Sequence, residues 1–258
     1  MRQPAYPLIP PSAIYGEFFD KCALAVMAKV PQPGRVKTRL SPLLSAAQCA
    51  EANAAFLKDT LACLQSVSAR VPSIPIVSYT PVGEELGFLG IVPDGTCLIA
   101  QRAGDLGARL SGTVDSLLRA GFKAVCLIDS DSPTVPEAIY ESAVNTLLKA
   151  SNRCAVLGAS ADGGYYALGM NSHEPHLFHN IPWSTESVSE ITRRRAVEVR
   201  LPLDELPEWY DIDDDQGFLS LKNELVGKVK RGGYQALHTR AMLTKILPEL
   251  PSAWEDTH

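Results

Sequence analysis

The chain has 258 residues, of which 46% are hydrophobic and 21% charged, and its formal net charge is −5. These values fit one large α/β domain with a sizeable core and leave little room for two domains. The acidic balance argues against a broad nucleic-acid or anionic-membrane surface, and no apolar run approaches the ~20 residues that span a bilayer.

Prolines interrupt the start of the chain, which has no continuous apolar stretch of the kind found in signal peptides. We therefore expect an N-terminal extension at 1–21 and a single domain at 22–258. The six cysteines form no Cys-x-x-Cys pair, and most lie in apolar stretches: Cys22, Cys49, Cys63, Cys97, Cys126 and Cys154. This pattern predicts buried free thiols and fits a reducing cytoplasm.

Strand-like and helix-like runs alternate along the chain. Strands are predicted at 22–29, 74–79, 96–101, 123–129, 154–159 and 165–170. Helices are predicted at 45–68 (with Ser45 as N-cap), 104–120, 136–150, 185–195, 214–227 and 234–247. Such alternation predicts a mainly parallel sheet that helices cover on both faces.

The first predicted strand ends in a basic loop with two prolines and four cations: Lys29, Arg35, Lys37 and Arg39. Ligands of α/β sheets bind at the carboxyl ends of strands, and Gly34 lets the backbone approach a phosphate closely. Lysine and arginine supply charge and hydrogen-bond donors. The loop therefore predicts a phosphate site that lacks the Walker A motif, and a solvated basic loop is the alternative.

The strand predicted at 96–101 leads into a second candidate site. Gln101 ends this strand, and its side-chain amide can bond the edge of a nucleobase. Gly104 and Gly107 flank Asp105 and allow a ligand to approach the start of the next helix. A plain strand–turn–helix junction is the alternative interpretation.

Two carboxylates follow the buried strand at 123–129. Asp129 and Asp131 lie at its carboxyl end, where Pro133 forces the chain to turn. Carboxylate oxygens are the ligands that Mg²⁺ and Mn²⁺ prefer, and the bound ion can bridge to phosphates. An acidic turn without a metal is the alternative.

A glycine pair separates the strands at 154–159 and 165–170. Asp162 precedes Gly163 and Gly164. This pattern fits a hairpin turn. It also fits a carboxylate beside backbone that is left bare so that a substrate can lie against it.

A run of aspartates precedes the helix at 214–227. At least one of them is expected to cap the helix, because carboxylates stabilise helix N-termini. Asp211 or Asp213 is the alternative second ligand of the metal.

These segments together resemble one family. The resemblance is to bacterial GT-A-type glycosyltransferase-like proteins, often labelled as arsenosugar-biosynthesis or radical-SAM-associated glycosyltransferases, and it covers roughly residues 22–220. Molybdenum-cofactor and phospholactate nucleotidyltransferases are similar more distantly. The matching motifs occur in order at residues 28–40, 104–109, 130–133, 162–165, 181–185 and 209–213.

The resemblance implies a single-domain, three-layer α/β sandwich of the nucleotide-diphospho-sugar transferase type, with a mixed, mostly parallel sheet. It implies nucleotide and divalent metal at the carboxyl edge, with Lys37 and Arg39 meeting phosphates and Gln101 and Gly104 near the base. Lys29, Gly34 and Asp105 are the further candidates for binding the nucleotide or its phosphates. Asp131 would hold the metal with Asp213, and Asp129 stands where a smaller residue is more usual. Around the donor sugar or acceptor it implies Asp162, Gly163, Gly164, Trp183, Ser184 and Thr185.

The function that we expect is metal-dependent transfer of a sugar from a nucleotide-sugar to a small-molecule acceptor, with Mg²⁺ or Mn²⁺. Asp162 is the candidate for positioning or deprotonating the acceptor hydroxyl. The first alternative is a nucleotidyltransferase that joins a nucleoside monophosphate to a phosphorylated acceptor, although the Gly-Gly loop usual in those enzymes is absent. The second is a non-catalytic nucleotide-binding protein.

Overall fold

The sheet is the centre of the computed structural model, which describes residues 6–10, 13–227, 229 and 231–249. Parts of the predicted N-terminal extension, residues 1–5 and 11–12, lie outside the described residues. Within the described part, seven strands form one sheet in the order β3-β2-β1-β4-β6-β5-β7. They are β1 (Cys22–Lys29), β2 (Ser73–Thr80), β3 (Cys97–Ala100), β4 (Ala124–Ile128), β5 (Ala155–Ala159), β6 (Tyr165–Met170) and β7 (Leu203–Glu205).

Helices follow most of these strands and cover the sheet. In the described residues they are α1 (Ala46–Ser68), α2 (Leu106–Arg119), α3 (Glu137–Lys149), α4 (Val188–Glu198), α5 (Asp215–Leu225) and α6 (Leu237–Ile246). None of the helices described is both long and apolar enough to cross a membrane.

The predicted fold class is confirmed: the sheet is mixed and mostly parallel. The strands β1, β2, β3 and β4 pair in parallel, whereas β6 runs antiparallel to both β4 and β5. The antiparallel pairing arises because a turn of five residues joins β5 directly to β6, and so short a connection reverses the chain. The sequence analysis did not predict β7, a three-residue strand at the edge of the sheet.

Three helices begin two or three residues later than predicted. The helix predicted at 234–247 begins at Leu237. The helix predicted at 104–120 begins at Leu106, because Asp105 is its N-cap and accepts a hydrogen bond from the backbone N–H of Ala108 at 2.8 Å. The helix predicted at 185–195 begins only at Val188. The preceding residues form a turn in which the Thr185 hydroxyl donates to the Pro182 carbonyl at 2.7 Å.

The core divides between the two faces of the sheet because successive strand residues point to opposite sides. In β1, Leu24 and Val26 pack on the side of α1 and α3, whereas Ala23 and Ala25 pack on the side of α2 and α4. A third buried cluster joins α1 to α5 and α6. The six cysteines are free, five of them buried and Cys97 half-buried, as predicted for all but Cys97.

One buried carboxylate connects α1 to α6. Asp59 lies within α1 and accepts hydrogen bonds from the backbone N–H groups of His238 at 3.0 Å and Thr239 at 2.6 Å. These groups belong to the first turn of α6, whose N–H groups have no partner inside the helix. Asp59 therefore caps α6 from outside, and the carboxylate favours the positive end of the helix dipole.

We expect Asp59→Ala to lower the free energy of unfolding by about 2–4 kcal/mol, because it leaves two N–H groups at a buried helix start without an acceptor. The measurement is urea denaturation followed by circular dichroism. Glu51→Ala, which removes an exposed α1 carboxylate paired with Lys245, is the matched control and should cost under about 1 kcal/mol. Equal losses for both variants would contradict the capping role.

Candidate functional site

A cavity of about 970 Å³ opens at the carboxyl ends of β1 and β4. Its walls are the loop that follows β4, the turn between β5 and β6, the segment 183–186 and the start of α5. Parallel strands end at this edge, where ligands of open α/β sheets bind. The lining includes six carboxylates and one guanidinium among the described residues: Asp129, Asp131, Asp162, Glu186, Asp213, Asp214 and Arg39.

The loop after β4 presents Asp129 and Asp131. The Oδ2 atom of Asp129 accepts a hydrogen bond from the Ser132 hydroxyl at 2.8 Å, and its buried Oδ1 atom has no partner among the described residues. Burial raises the pKa of Asp129 well above its usual range, and the neighbouring charge of Asp131 raises it further. The protein thus leaves one buried carboxylate oxygen at this position without a hydrogen-bond donor among the described residues.

Lys37 does not face solvent, as a phosphate-binding side chain of an open loop would, but is buried behind the cavity wall. Its Nζ atom lies 2.8 Å from Oδ1 of Asp131, donates to the carbonyl of Ile212 and approaches the Phe56 ring at 5.7 Å. Only 3% of its side chain is exposed. Lys37 therefore joins the basic loop to the loop after β4 and to the segment before α5.

Carboxylates of the chain also pair with two other cations of the basic loop. Arg39 lines the cavity and pairs with Asp213, and both side chains are exposed. Arg35 lies 3.5 Å from Glu84, outside the cavity. Lys29, at the exposed end of β1, has no side-chain partner among the described residues. A phosphate group at Arg39 would compete with Asp213.

Asp162 forms the turn between β5 and β6 that the sequence predicted, and it also lines the cavity. Its Oδ1 atom accepts hydrogen bonds from the Ser160 hydroxyl at 2.5 Å and the Gly164 N–H at 2.8 Å. Gly163 has a φ of +89°, and a Cβ atom there would lie 2.0 Å from the Glu186 carbonyl oxygen. The turn therefore accepts only glycine at 163, because the backbone at 186 packs directly against it.

The segment 183–186 forms another part of the cavity wall. Trp183 packs against the first turn of α2, where a Cβ atom on Gly107 would lie 3.1 Å from its Nε1 atom. The Trp183 and Tyr165 rings meet edge to face with centroids 6.4 Å apart. Ser184, with a φ of +65°, and Thr185 complete this wall.

The sequence analysis did not single out Tyr165 or Glu186, although both line the cavity. The Tyr165 hydroxyl is buried without a hydrogen-bond partner among the described residues, and burial raises its pKa. Both residues lie next to predicted site residues in sequence. Their position next to Gly164 and Thr185 was the signal in the sequence that could have identified them. Whether they face the cavity depends on how the turn between β5 and β6 packs on the segment 183–186, which the sequence does not show.

The predicted nucleotide-binding residues at the other strands do not line this cavity. Gln101 is buried, and its Nε2 atom donates to the Ser78 carbonyl at 2.8 Å. Asp105 caps α2, and Gly104 has a φ of +126°, which glycine adopts readily. Lys29 and Gly34 also lie outside the lining. Gln101 and Asp105 thus have structural partners that account for them without a nucleotide.

The aspartates before α5 divide into two roles. Asp214 caps α5 by accepting a hydrogen bond from the Gly217 N–H at 2.9 Å, as the sequence predicted for one of them. The N–H of Ile212 donates to the Asp131 carbonyl at 3.0 Å, which brings this segment beside the β4 loop. Burial raises the pKa of Asp211 to about 6, and the charge of Asp162 adds to the shift.

The donor chemistry of these residues fits a hard divalent cation such as Mg²⁺ or Mn²⁺. Asp129, Asp131 and Asp213 offer carboxylate oxygens to one cavity, and Oδ1 of Asp129 lacks a partner. Among the described residues, however, no three His, Cys, Asp or Glu side chains are already gathered as a metal site. Two of these carboxylates instead form ion pairs within the protein, Asp131 with Lys37 and Asp213 with Arg39.

The raised pKa of Asp211 predicts a pH-dependent stability. The folded protein holds this proton more tightly than the unfolded chain, so stability is lost as the pH rises from about 3.8 through about 6. In a chelating buffer, Asp211→Asn should therefore be more stable than the unmodified protein at pH ~7.5. After allowance for partial exposure, we expect a gain on the order of 1 kcal/mol that disappears near pH 4.

Urea denaturation at several pH values measures this difference. Asp204→Asn, at an exposed position on β7, is the matched control and should show no such pH dependence. A gain for Asp211→Asn of the same size at every pH would show that a contact other than its ionisation is responsible.

Comparison with known proteins gives one family model and several solved structures. Residues 63–185 match the model described as "Uncharacterized protein conserved in bacteria (DUF2064)". No curated protein matches the sequence.

The solved structures share the fold of this chain. A candidate nucleotide-diphospho-sugar transferase from Desulfovibrio desulfuricans G20 is 27% identical, with a TM-score of 0.75 over 89% of this chain and 96% of that one. A 4-diphosphocytidyl-2C-methyl-D-erythritol synthase from Anaerococcus prevotii is 11% identical, with a TM-score of 0.53 over 82% and 99%. A cytidylyltransferase from Leptospira borgpetersenii is 14% identical, with a TM-score of 0.51 over 92% and 98%.

The strand order and the likeness to the 27% identical structure confirm the superfamily that the motifs indicated. With its acidic cavity at the carboxyl edge of a mixed sheet, the chain is a member of the nucleotide-diphospho-sugar transferase superfamily.

Proposed function

We propose that the protein transfers a sugar from a nucleotide-sugar to a small-molecule acceptor with the aid of Mg²⁺ or Mn²⁺. The observation that carries this proposal is the cavity at the carboxyl ends of β1 and β4, where six carboxylates and one guanidinium line the space in the described residues. A diphosphate group cannot enter such a cavity without added positive charge, because the like charges repel.

The carboxylates suited to that cation are Asp129, Asp131 and Asp213. When bound, the ion would neutralise charge that develops on the leaving nucleoside diphosphate. Lys37 positions Asp131 and carries its charge inside the protein wall, since its Nζ atom lies 2.8 Å from Oδ1 of Asp131. Because Lys37 is buried, it cannot contact a ligand in the cavity directly. Its role in the proposal is to hold the Asp131 carboxylate in place.

Arg39 is the cationic side chain of the cavity lining that can reach a phosphate oxygen. It is exposed, and the carboxylate with which it pairs, Asp213, is exposed as well. Exposed ion pairs contribute little net stability, so exchange of Asp213 for a phosphate group costs little. In this proposal Arg39 stabilises the negative charge of the diphosphate as the glycosidic bond breaks.

Asp162 is the carboxylate best suited to the acceptor. Both of the hydrogen bonds that fix it go to Oδ1, and Oδ2 has none from the described residues. The Oδ2 atom can accept the hydroxyl proton of an acceptor, which orients the hydroxyl oxygen and raises its nucleophilicity. The tight turn around Gly163 keeps the carboxylate in position.

Nucleotidyl transfer is the second candidate, because a structure of the same fold, from Leptospira borgpetersenii, is named a cytidylyltransferase. That reaction needs donors around a pyrophosphate leaving group. In this chain Pro31 and Pro33 remove two backbone N–H groups from the loop after β1, and the Arg35 and Lys37 cations pair internally. These features favour glycosyl transfer. A non-catalytic nucleotide-binding role would keep nucleotide binding without turnover.

A panel of nucleotide-sugars and nucleoside triphosphates, with product detection by mass spectrometry, tests the proposal. We expect slow hydrolysis of a nucleotide-sugar to free sugar and nucleoside diphosphate without acceptor, dependent on Mg²⁺ or Mn²⁺. Asp213→Asn should slow this hydrolysis at least about tenfold, whereas the exposed Asp204→Asn on β7 should not. Release of pyrophosphate from a triphosphate would favour the second candidate, and metal-independent hydrolysis would remove the cation from the mechanism.

The role of Arg39 predicts a phosphate-specific loss of affinity. Arg39→Ala should weaken binding of a nucleoside diphosphate by roughly tenfold to a hundredfold, the effect of losing one charge-assisted contact. Arg35→Ala is the matched control, because Arg35 belongs to the same loop but pairs with Glu84 away from the cavity. Calorimetric titration measures both affinities. If the phosphate-free nucleoside loses affinity equally in Arg39→Ala, the arginine has only a structural role.

A further inference from the structure

We infer that the acceptor is a hydroxyl compound, a polyol or sugar, without a phosphate or carboxylate group, and that Glu186 excludes anionic compounds from its site. This inference rests on the proposed function and narrows it, because it assigns a chemical class to the acceptor. The features that carry it lie at one end of the cavity, formed by the turn 161–164, Tyr165 and the segment 183–186. We call this region the turn end.

The turn end carries negative charge that no cation of its own balances. Asp162 and Glu186 contribute two carboxylates, and no lysine, arginine or histidine belongs to this part of the described lining. Arg39, the cation of the remaining lining, pairs with Asp213. A phosphate group carries about −1.5 to −2 charges near pH 7, so both carboxylates would repel it here.

The backbone around Glu186 is fixed although its side chain is exposed. The backbone of Glu186 packs on Gly163, and the Gly163 carbonyl accepts a hydrogen bond from the Ser189 N–H at 2.9 Å. The Thr185 hydroxyl closes the preceding turn onto Pro182. The Glu186 carboxylate has no partner among the described residues. Its charge is therefore held at the cavity wall and remains available to act on a ligand.

The other surfaces of the turn end suit a hydroxylated compound. Trp183 and Tyr165 supply aromatic surface beside Leu106 and Leu110. The Tyr165 hydroxyl is buried and has no partner in the described residues, although buried polar groups are normally hydrogen-bonded. This hydroxyl has almost no exposed surface, so the aromatic faces of the two rings are what they offer to a ligand. Aromatic surface next to carboxylates fits a compound with both C–H faces and hydroxyl groups.

Ligand-observed saturation-transfer NMR tests this inference with compounds that differ only by a phosphate. The probes are glycerol, glucose and myo-inositol, each compared with its monophosphate ester, in the presence of nucleoside diphosphate and Mg²⁺. We expect at least one neutral compound to bind about fivefold or more tightly than its ester. The inference is overturned if every ester binds as tightly as its parent or more tightly, or if no neutral compound binds.

Charge reversal assigns the effect to Glu186. Glu186→Lys should reduce or reverse the preference for the neutral compound, and Glu186→Gln should reduce it less. Glu190→Lys changes the net charge equally on the neighbouring helix α4, outside the cavity lining, and should leave the preference unchanged. An equal change in both lysine variants would overturn the assignment to Glu186. Added salt should weaken the preference, because Glu186 is exposed.

The same samples separate this inference from the proposed function. Turnover of nucleotide-sugars is measured independently of polyol binding. If a nucleotide-sugar is hydrolysed but phosphate esters bind as tightly as neutral compounds, the acceptor class is wrong and glycosyl transfer stands. If pyrophosphate is released from a triphosphate instead, glycosyl transfer is wrong whatever the polyol preference.

Discussion

The arrangement of the cavity depends on the buried ammonium group of Lys37. This group joins three segments that are far apart in the chain: the loop after β1, Asp131 after β4 and the Ile212 carbonyl before α5. Burial raises the pKa of Asp129 and of Asp211, and repulsion from neighbouring carboxylates raises both further. The buried Lys37 ammonium offsets part of that repulsion. If Asp131 were removed, this ammonium would become an unpaired buried charge, which is strongly destabilising.

Two glycines allow the segment 183–186 to pack closely against the turn between β5 and β6 and against α2. A side chain at Gly163 would collide with the backbone at Glu186, and one at Gly107 would collide with the Phe178 carbonyl and crowd the Trp183 ring. The segment before α4 can therefore lie directly on the turn and on α2. This packing forms a part of the cavity wall that carries the Trp183 ring and the Glu186 carboxylate. The position of Trp183 and Glu186 in the cavity wall thus depends on two residues that lack a Cβ atom, Gly107 and Gly163.

Periodicity predicted the strands and most helices because their faces are buried, and the N-caps at Ser45 and before α5 follow from short-range hydrogen bonds. The pairing of cations was not predictable. Lys37 and Asp131 are distant in sequence, and their residue types fit an open phosphate site as well as the buried ion pair that forms. The strand β7 was missed because three residues cannot show an alternating pattern.

The ion pairs explain how an acidic cavity could accept both a cation and a diphosphate. In the present arrangement Arg39 and Asp213 neutralise each other. In the proposed function, a phosphate group bound to Arg39 would free the carboxylate of Asp213 to hold a divalent ion. Each ligand would then increase the affinity for the other by the same factor, as thermodynamic linkage requires. The pair of Lys37 and Asp131 does not take part in this exchange, because loss of the contact would leave the buried Lys37 charge without its carboxylate partner. In the proposed function, the exposed pair of Arg39 and Asp213 would respond to ligands, whereas the buried Lys37 would hold Asp131 in place.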